Sequence, residues 1–120
     1  MANDYNVNQT ANVNGLGTFS STIAVAGPYT VNVNSTIPGS VDSEGTQQSN
    51  LQIQIKQNNT VLVTVGGSTQ NPTPSQGSIG CGYSFQAAAN DVVHVVFSSS
   101  NAIDSVPNKV KSQINLFQSI

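Results

Sequence analysis

Residues 79–100 read IGCGYSFQAAANDVVHVVFSSS and bring together two apolar runs in a chain that is otherwise rich in Asn, Gln, Ser and Thr. Aromatic and β-branched residues dominate both runs, which predicts one strand over 79–85 and another over 92–98. The pair Asn90-Asp91 lies between them and is typical of a tight turn, because Asn tolerates the left-handed backbone conformation. We therefore expect the two strands to form a hairpin.

The second run contains VVHVVF at 92–97, which is largely apolar on both faces of the predicted strand. Side chains alternate along a strand, so one face carries Val93, Val95 and Phe97. The other face carries Val92, His94 and Val96. This pattern predicts a central strand that is covered on both faces, or a strand whose outer face meets another subunit.

Six further runs of alternating apolar and polar residues predict strands in the rest of the chain. They lie at 5–13, 19–26, 29–37, 51–57, 60–65 and 109–118. The clearest hairpin joins 51–57 to 60–65, because LQIQIK alternates strictly and Asn58 and Asn59 tolerate the positive φ of a tight turn. No segment keeps a 3.6-residue apolar period, so we expect no significant helix.

Short strands separated by turn-forming residues predict one all-β domain, an antiparallel β-sandwich of the jelly-roll type with about eight strands. We assign 19–120 to the sandwich and 1–18 to an N-terminal arm or edge strand. The alternation also predicts which side chains lie in or beside the core. They are Leu51, Ile53, Ile55, Val61, Val63, Val65, Tyr83, Phe85, Val93, Val95 and Phe97.

The composition argues against two classes of partner. The 120 residues include three Lys and no Arg and carry a formal charge of -2, whereas nucleic-acid binding draws on clustered Lys and Arg. No apolar stretch is long enough to span a membrane, and the N-terminus lacks the pattern of a secretory signal. We therefore expect a protein that is made in a cytoplasm and binds neither nucleic acid nor membrane.

Candidate reactive residues are few and scattered. His94 has no second His or Cys with which to bind a metal, so we interpret it as a packing residue. Cys81 would act as a nucleophile only if His94 approached it across the predicted hairpin. We interpret the acidic residues as solvated loop groups or turn caps rather than an acid pair or a calcium site. They are Asp42, Glu44, Asp91 and Asp104. The sequence thus predicts no catalytic residue, no cofactor and no metal.

A family resemblance adds to this reading. The run YSFQAAANDVVHVVFSSSN, preceded by PYTVNVNSTIP and LQIQIKQNNTVLV, resembles the small jelly-roll modules of the C1q and tumour-necrosis-factor type in phage virion proteins. The resemblance covers 19–118, and Asn90 stands where that pattern usually has Gly. It implies a trimeric jelly roll with an accessory role in a virion, such as a capsid decoration or cement protein. It carries over no binding residues.

Three functions from different classes follow from these observations. The leading hypothesis is a structural virion protein on the capsid surface, a homotrimer that binds and stabilises the major capsid protein. Its expected contact residues are Tyr5, Val7, Val92, His94 and Val96. The alternative is a carbohydrate- or receptor-binding sandwich of a phage fibre or spike, although the chain has no Trp for a sugar platform. A small hydrolase would need a convergent nucleophile, base and orienting group, which we cannot assemble.

Overall fold

The computed structural model describes residues 5–37, 49–69, 77–99 and 110–119. Eight strands make up most of these ranges. They are β1 (Tyr5–Asn14), β2 (Thr18–Thr22), β3 (Gly27–Ile37), β4 (Ser49–Gln57), β5 (Thr60–Thr69), β6 (Gly77–Ala87), β7 (Val92–Ser98) and β8 (Lys111–Ser119). The described part of the chain contains no helix. The predicted all-β class is confirmed.

The strands form two four-stranded sheets in which all neighbours run antiparallel. The first sheet has the order β1-β8-β3-β6, and the second has the order β2-β7-β4-β5. Every connection except that between β4 and β5 passes from one sheet to the other. This arrangement is a jelly roll, as the sequence predicted.

The predicted hairpin of 79–85 with 92–98 is wrong. β6 pairs with β3 at the edge of the first sheet, whereas β7 lies between β2 and β4 in the second. The turn does form, and Asn90 adopts a φ of 76° there, but it leads the chain across the sandwich. A strand that is apolar on both sides suits the middle of a sheet, which explains why β7 finds two partners other than β6.

The predicted hairpin of 51–57 with 60–65 is confirmed by the pairing of β4 with β5. Asn58 adopts a φ of 55° in its two-residue turn. β5 continues past the predicted end at residue 65 to Thr69 and includes Gly66 and Gly67. Pairing with β4 therefore overrides the turn preference of two glycines.

The second strand ends earlier than its sequence predicts. β2 stops at Thr22 rather than continuing to residue 26. The backbone of Ile23 instead bonds to the turn before β7, accepting from the Asn90 amide and donating to the Asp91 carbonyl, each at 2.7 Å. The Tyr29 hydroxyl donates to the Val25 carbonyl at 2.6 Å. These bonds satisfy backbone groups that would otherwise continue the ladder.

The core lies between the two sheets and takes alternate residues from each central strand. In β3 the odd-numbered positions from Tyr29 to Ile37 are buried. The buried apolar side chains are Ile23, Tyr29, Val31, Val33, Ile37, Leu51, Ile53, Ile55, Ala87, Val93, Val95, Phe97, Val110, Ile114 and Leu116. Burial of each large member contributes about 1.5–3 kcal/mol, so packing of this cluster supplies the main stabilising term.

Two of the residues predicted for the core are exposed. Val61 is 47% exposed because the register shifts between Ile55 and Lys56, which places Val61 opposite Lys56 on the outer side of the sheet. Tyr83 is 37% exposed because β6 is an edge strand. The other predicted members are buried or, like Val63, Val65 and Phe85, pack half-buried against the core.

Candidate functional site

The outer side of the second sheet, which we call the β7 face, carries three of the five predicted contact residues. Val92, His94 and Val96 are half-buried at its centre, since β2 and β4 lie on either side. The β7 face also includes the outward side chains of the neighbouring strands. These are Thr18, Ser20, Thr22, Gln52, Gln54, Lys56, Val61, Thr64 and Ser98.

One row of this face crosses all four strands. Ser20, His94, Lys56 and Val61 are successive cross-strand partners from β2 to β5. The Ser20 hydroxyl and the His94 Nδ1 atom are 2.7 Å apart. A serine hydroxyl can donate to a neutral ring or accept from a protonated one, so this contact serves either protonation state of His94. Lys56 lies directly opposite on the other neighbour.

The outer side of the first sheet has a different chemistry, and we call it the amide face. Two of its rows are Thr10–Asn115–Asn32–Gly82 and Asn12–Gln113–Asn34–Gly80. The Asn side chains lean over the glycines of β6: a Cβ atom added to Gly82 would lie 2.6 Å from Asn32 Oδ1. A Cβ atom added to Gly80 would lie 2.9 Å from Asn34 Oδ1. The glycines therefore leave room for the amides.

A groove of about 610 Å³ lies at one end of the amide face. All four strands line it, and its walls carry amide and hydroxyl groups from Asn12, Asn34, Thr36, Ser78 and Gln113. Among the described residues that line it, Lys111 is the one charged side chain. Such a groove has the size of a small-ligand site and offers both hydrogen-bond donors and acceptors, and its described lining includes no carboxylate and no thiol.

At one end of the sandwich, Asp91 accepts hydrogen bonds from residues at the ends of strands in both sheets. Its Oδ2 accepts from the Ala88 amide at 2.9 Å and from Gln57 Nε2 at 2.8 Å, and its Oδ1 accepts from Asn58 Nδ2 at 3.1 Å. The Ala88 amide, then Asn58 and Gln57, stabilise the carboxylate and lower the pKa of Asp91. The prediction that Asp91 bonds a nearby backbone amide is confirmed.

The structure does not assemble a Cys–His pair. Cys81 lies in β6 of the first sheet and His94 in β7 of the second. Partial burial raises the pKa of the Cys81 thiol, which disfavours the nucleophilic thiolate. In the described ranges no group of three or more His, Cys, Asp and Glu residues could hold a metal ion. Asp42, Glu44 and Asp104 lie outside the described residues.

The five predicted contact residues fall into two separate groups. Tyr5 and Val7 lie in β1, where their backbones pair with Ser119 and Gln118 at the edge of the first sheet. Val92, His94 and Val96 lie in the centre of the second sheet. No helix among the described residues is long and apolar enough to cross a membrane.

Sequence reasoning missed the neighbours of His94. Ser20 and Lys56 lie 74 and 38 positions away along the chain (94 − 20 and 94 − 56). The alternation of LQIQIK does place Lys56 on an outer face, but only the strand order shows that β4 is the partner of β7. Part of the amide face could be predicted from the sequence, because Asn32 and Asn34 alternate with buried valines in VNVN.

Comparisons with known proteins agree with this architecture. No protein-family model matches the chain, and no curated protein sequence matches it. Among solved structures, 153 chains match. One is the globular domain of a zebrafish complement 1qA protein, with a TM-score of 0.55 and 17% identity over 82% of this chain and 68% of that chain. This likeness supports the jelly-roll β-sandwich, and at this identity it shows the fold alone.

Proposed function

We propose that the chain is a structural virion protein that decorates an assembled capsid and stabilises it. The observation that carries this proposal is that both sheets present broad outer faces built from amide, hydroxyl and aliphatic side chains. The described residues bring a hydroxyl and an imidazole together at Ser20 and His94, but they place no carboxylate beside the pair to orient the ring. A domain whose outward side chains offer contacts but no reactive set is suited to binding and reinforcing another surface.

The weak charge of the faces suits a permanent attachment. Hydrogen bonds between amide and hydroxyl groups do not weaken with salt as long-range charge attraction does. Among the described residues, Lys111 is the charged side chain of the groove on the amide face, and Lys56 is a charged side chain of the β7 face. An accessory protein that remains bound across changes of ionic strength benefits from such a surface.

Threefold self-association is the second part of the proposal. The C1q-type jelly roll supports it, and the structure offers two surfaces for contacts between copies or with the major capsid protein. One is the half-buried apolar strip of Val92 and Val96 on the β7 face. The other is β1, an edge strand whose outer backbone groups can pair with a neighbouring strand. Tyr5 and Val7 lie in that edge strand.

Mass measurement and particle binding test the proposal together. We expect sedimentation equilibrium to give the mass of a trimer, and we expect the protein to sediment with virus particles in a fixed stoichiometry. Particles stripped of the protein should lose integrity at lower temperature or on milder osmotic shock than complete ones. A monomer at high concentration, together with stripped particles as resistant as complete ones, would refute the reinforcing role.

A second candidate is a carbohydrate- or receptor-binding module of a phage fibre or spike. The groove on the amide face favours it, because its donors and acceptors match the hydroxyl groups of a saccharide. A glycan array tests this function directly. Binding that is lost in Asn34→Ala, which removes a groove amide, and kept in Gln54→Ala on the opposite sheet would support it. No bound glycan at millimolar concentration would rule it out.

A further inference from the structure

The centre of the β7 face carries two basic side chains side by side. Lys56 and His94 are direct cross-strand partners, and both point outward. Lys56 carries a positive charge, and the imidazole of His94 beside it is a hydrogen-bonding group. Among the described residues no Asp or Glu lies on this face to pair with Lys56. An anionic group from outside the domain would supply that partner.

Apolar side chains surround these two groups. Val92 and Val96 lie before and after His94 on the same side of β7, and Val61 lies beyond Lys56 in the same row. Val61 is 47% exposed, and the two β7 valines are half-buried. A partner that covers these valines would also exclude water from the basic pair. Attraction between Lys56 and a partner carboxylate would then be much stronger than at an open surface.

Hydroxyl and amide groups border this centre. Ser20 occupies the β2 end of the central row, and Thr18 and Gln54 flank Val96 in the next row. An apolar centre with a polar rim is the general anatomy of a protein interface, and here the centre also holds Lys56 and His94. The Ser20 hydroxyl also holds His94 Nδ1 at 2.7 Å, so Nε2 is the ring nitrogen left to contact a partner.

From this arrangement we propose that the β7 face docks an acidic and aliphatic protein surface, with a carboxylate held between Lys56 and His94. The proposal rests on the docking role inferred above and names the chemistry of the partner. Charge complementarity favours a different protein over a second copy meeting face to face. Two β7 faces would bring their lysines together, and the one carboxylate among the described residues, Asp91, already accepts three hydrogen bonds.

A peptide titration followed by nuclear magnetic resonance tests the chemistry without knowledge of the partner. The probe is a capped pentapeptide of alternating valine and glutamate, and its matched control replaces each glutamate with glutamine. We expect amide shifts to cluster on β2, β4 and β7, with affinity for the glutamine peptide lower by about tenfold or more. Equal binding of the two peptides, or shifts centred on the amide face, would overturn the proposal.

Charge reversal locates the site. Lys56→Glu should abolish the response to the acidic peptide, whereas Lys111→Glu, the same change on the opposite sheet, should leave it intact. Circular dichroism and the melting temperature check that each variant folds. If Lys56→Glu does not fold, Lys56→Gln removes the charge with less disruption and should still lower affinity. Equal losses in the two lysine variants would show non-specific attraction and contradict the proposal.

Two further measurements separate this inference from the proposed function. If Lys56→Glu loses peptide binding while the unaltered protein fails to sediment with virus particles, the docking surface stands and the virion role falls. If the protein sediments with particles equally well with and without Lys56→Glu, the virion role stands and this docking surface is wrong. If Lys56→Glu turns an oligomer into a monomer, the occupant is a second copy, which overturns the choice of partner.

Discussion

The two sheets share one core but differ in the side chains that they give to it and to solvent. The first sheet buries the polar residues Ser35, Ser112 and Gln118. On its outer side, the Asn32 and Asn34 amides lie over Gly82 and Gly80. Among the described residues, the buried side chains of the second sheet are apolar, and its outer side mixes valine with His94 and Lys56. Packing therefore holds both sheets, and the first sheet adds a hydrogen bond between buried side chains.

The two sheets differ in what their side chains do: the first fixes the strand register, and the second carries the proposed docking face. Ser35 and Ser112 are hydrogen-bonded and are direct partners in the β3–β8 register, so a slip of one residue would turn one serine to the outer side of the sheet and leave the other hydroxyl buried without its partner. The second sheet has no such pair in its described core and gains its stability from apolar area. Its outer face carries the exposed Val61, the half-buried Val92 and Val96 and a basic pair, and we assign this face to docking.

The largest effect that would test this contrast is expected in the core of the first sheet. Ser35→Ala should lower the free energy of unfolding by about 1–3 kcal/mol, because it leaves the buried Ser112 hydroxyl without its 2.7 Å partner. Ser35→Ala combined with Ser112→Ala should cost much less than twice that amount. Urea unfolding of the two single variants and the double variant gives the coupling energy. Additive costs would show that the pair does not act as a unit.

A smaller effect should distinguish the outer faces. Gly80→Val should lower the free energy of unfolding by about 1 kcal/mol, because its Cβ atom would lie 3.2 Å from the Val33 carbonyl oxygen, a backbone atom that cannot turn aside as the Asn34 amide can. Gly66→Val is the matched control on the second sheet, where the nearest atom to a Cβ is the Leu51 carbonyl oxygen at 3.7 Å. It should be neutral or slightly stabilising, since valine suits a strand better than glycine. Equal destabilisation of the two variants would remove the distinction.

Removing the hydrogen bond on the β7 face should change the free energy of unfolding by a still smaller amount. Ser20→Ala removes the hydroxyl that lies 2.7 Å from His94 Nδ1, and both residues reach solvent, so water can replace the bond. We expect a change of at most about 1 kcal/mol in unfolding free energy. His94→Gln should do no more, because an amide can bond Ser20. Thermal unfolding measures both, and a collapse of the fold in either variant would show that this row is structural.

Much of the fold could be predicted from two-residue alternation. In β3 and β4 the alternating residues of YTVNVNSTI and LQIQI are buried and exposed as the pattern requires. Val61 departs from the pattern because Leu62 is the extra residue of a bulge in β5, which changes the side that Val61 faces, and a bulge has no signal in an alternating sequence. The partner of a strand was also beyond prediction, because pairing of β7 with β2 and β4 depends on how three distant segments pack.

The candidate site could likewise be predicted only in part from the sequence. Alternation placed Val92, His94 and Val96 on one side of β7, which the structure confirms as its outer side. The same rule could not bring Ser20 or Lys56 beside His94, because cross-strand neighbours follow from register between segments. The amide face depends likewise on Gly80 and Gly82 lying beside Asn34 and Asn32 across the β3–β6 register.

The smallest effect is expected where the two sheets are joined, at Asp91. The Ala88 amide, with Asn58 and Gln57, lowers the pKa of this carboxyl in the folded state, whereas the unfolded chain has the ordinary value near 3.9. The folded state therefore gains stability from the ionised group above about pH 4, and that gain is lost as the pH falls through the lower folded value. Solvent around the carboxylate limits the size of the effect.

Melting temperatures measured from neutral pH down to about pH 2.5 test this link for the unaltered chain and for Asp91→Asn. Asparagine keeps the size of the side chain but cannot hold the charge, so Asp91→Asn should melt lower at neutral pH and lose less on acidification. The other carboxyl groups titrate in both proteins, which makes the difference between the two curves specific to Asp91. Parallel curves would mean that the charge on Asp91, although it accepts bonds from Ala88, Asn58 and Gln57, adds no stability to the folded state.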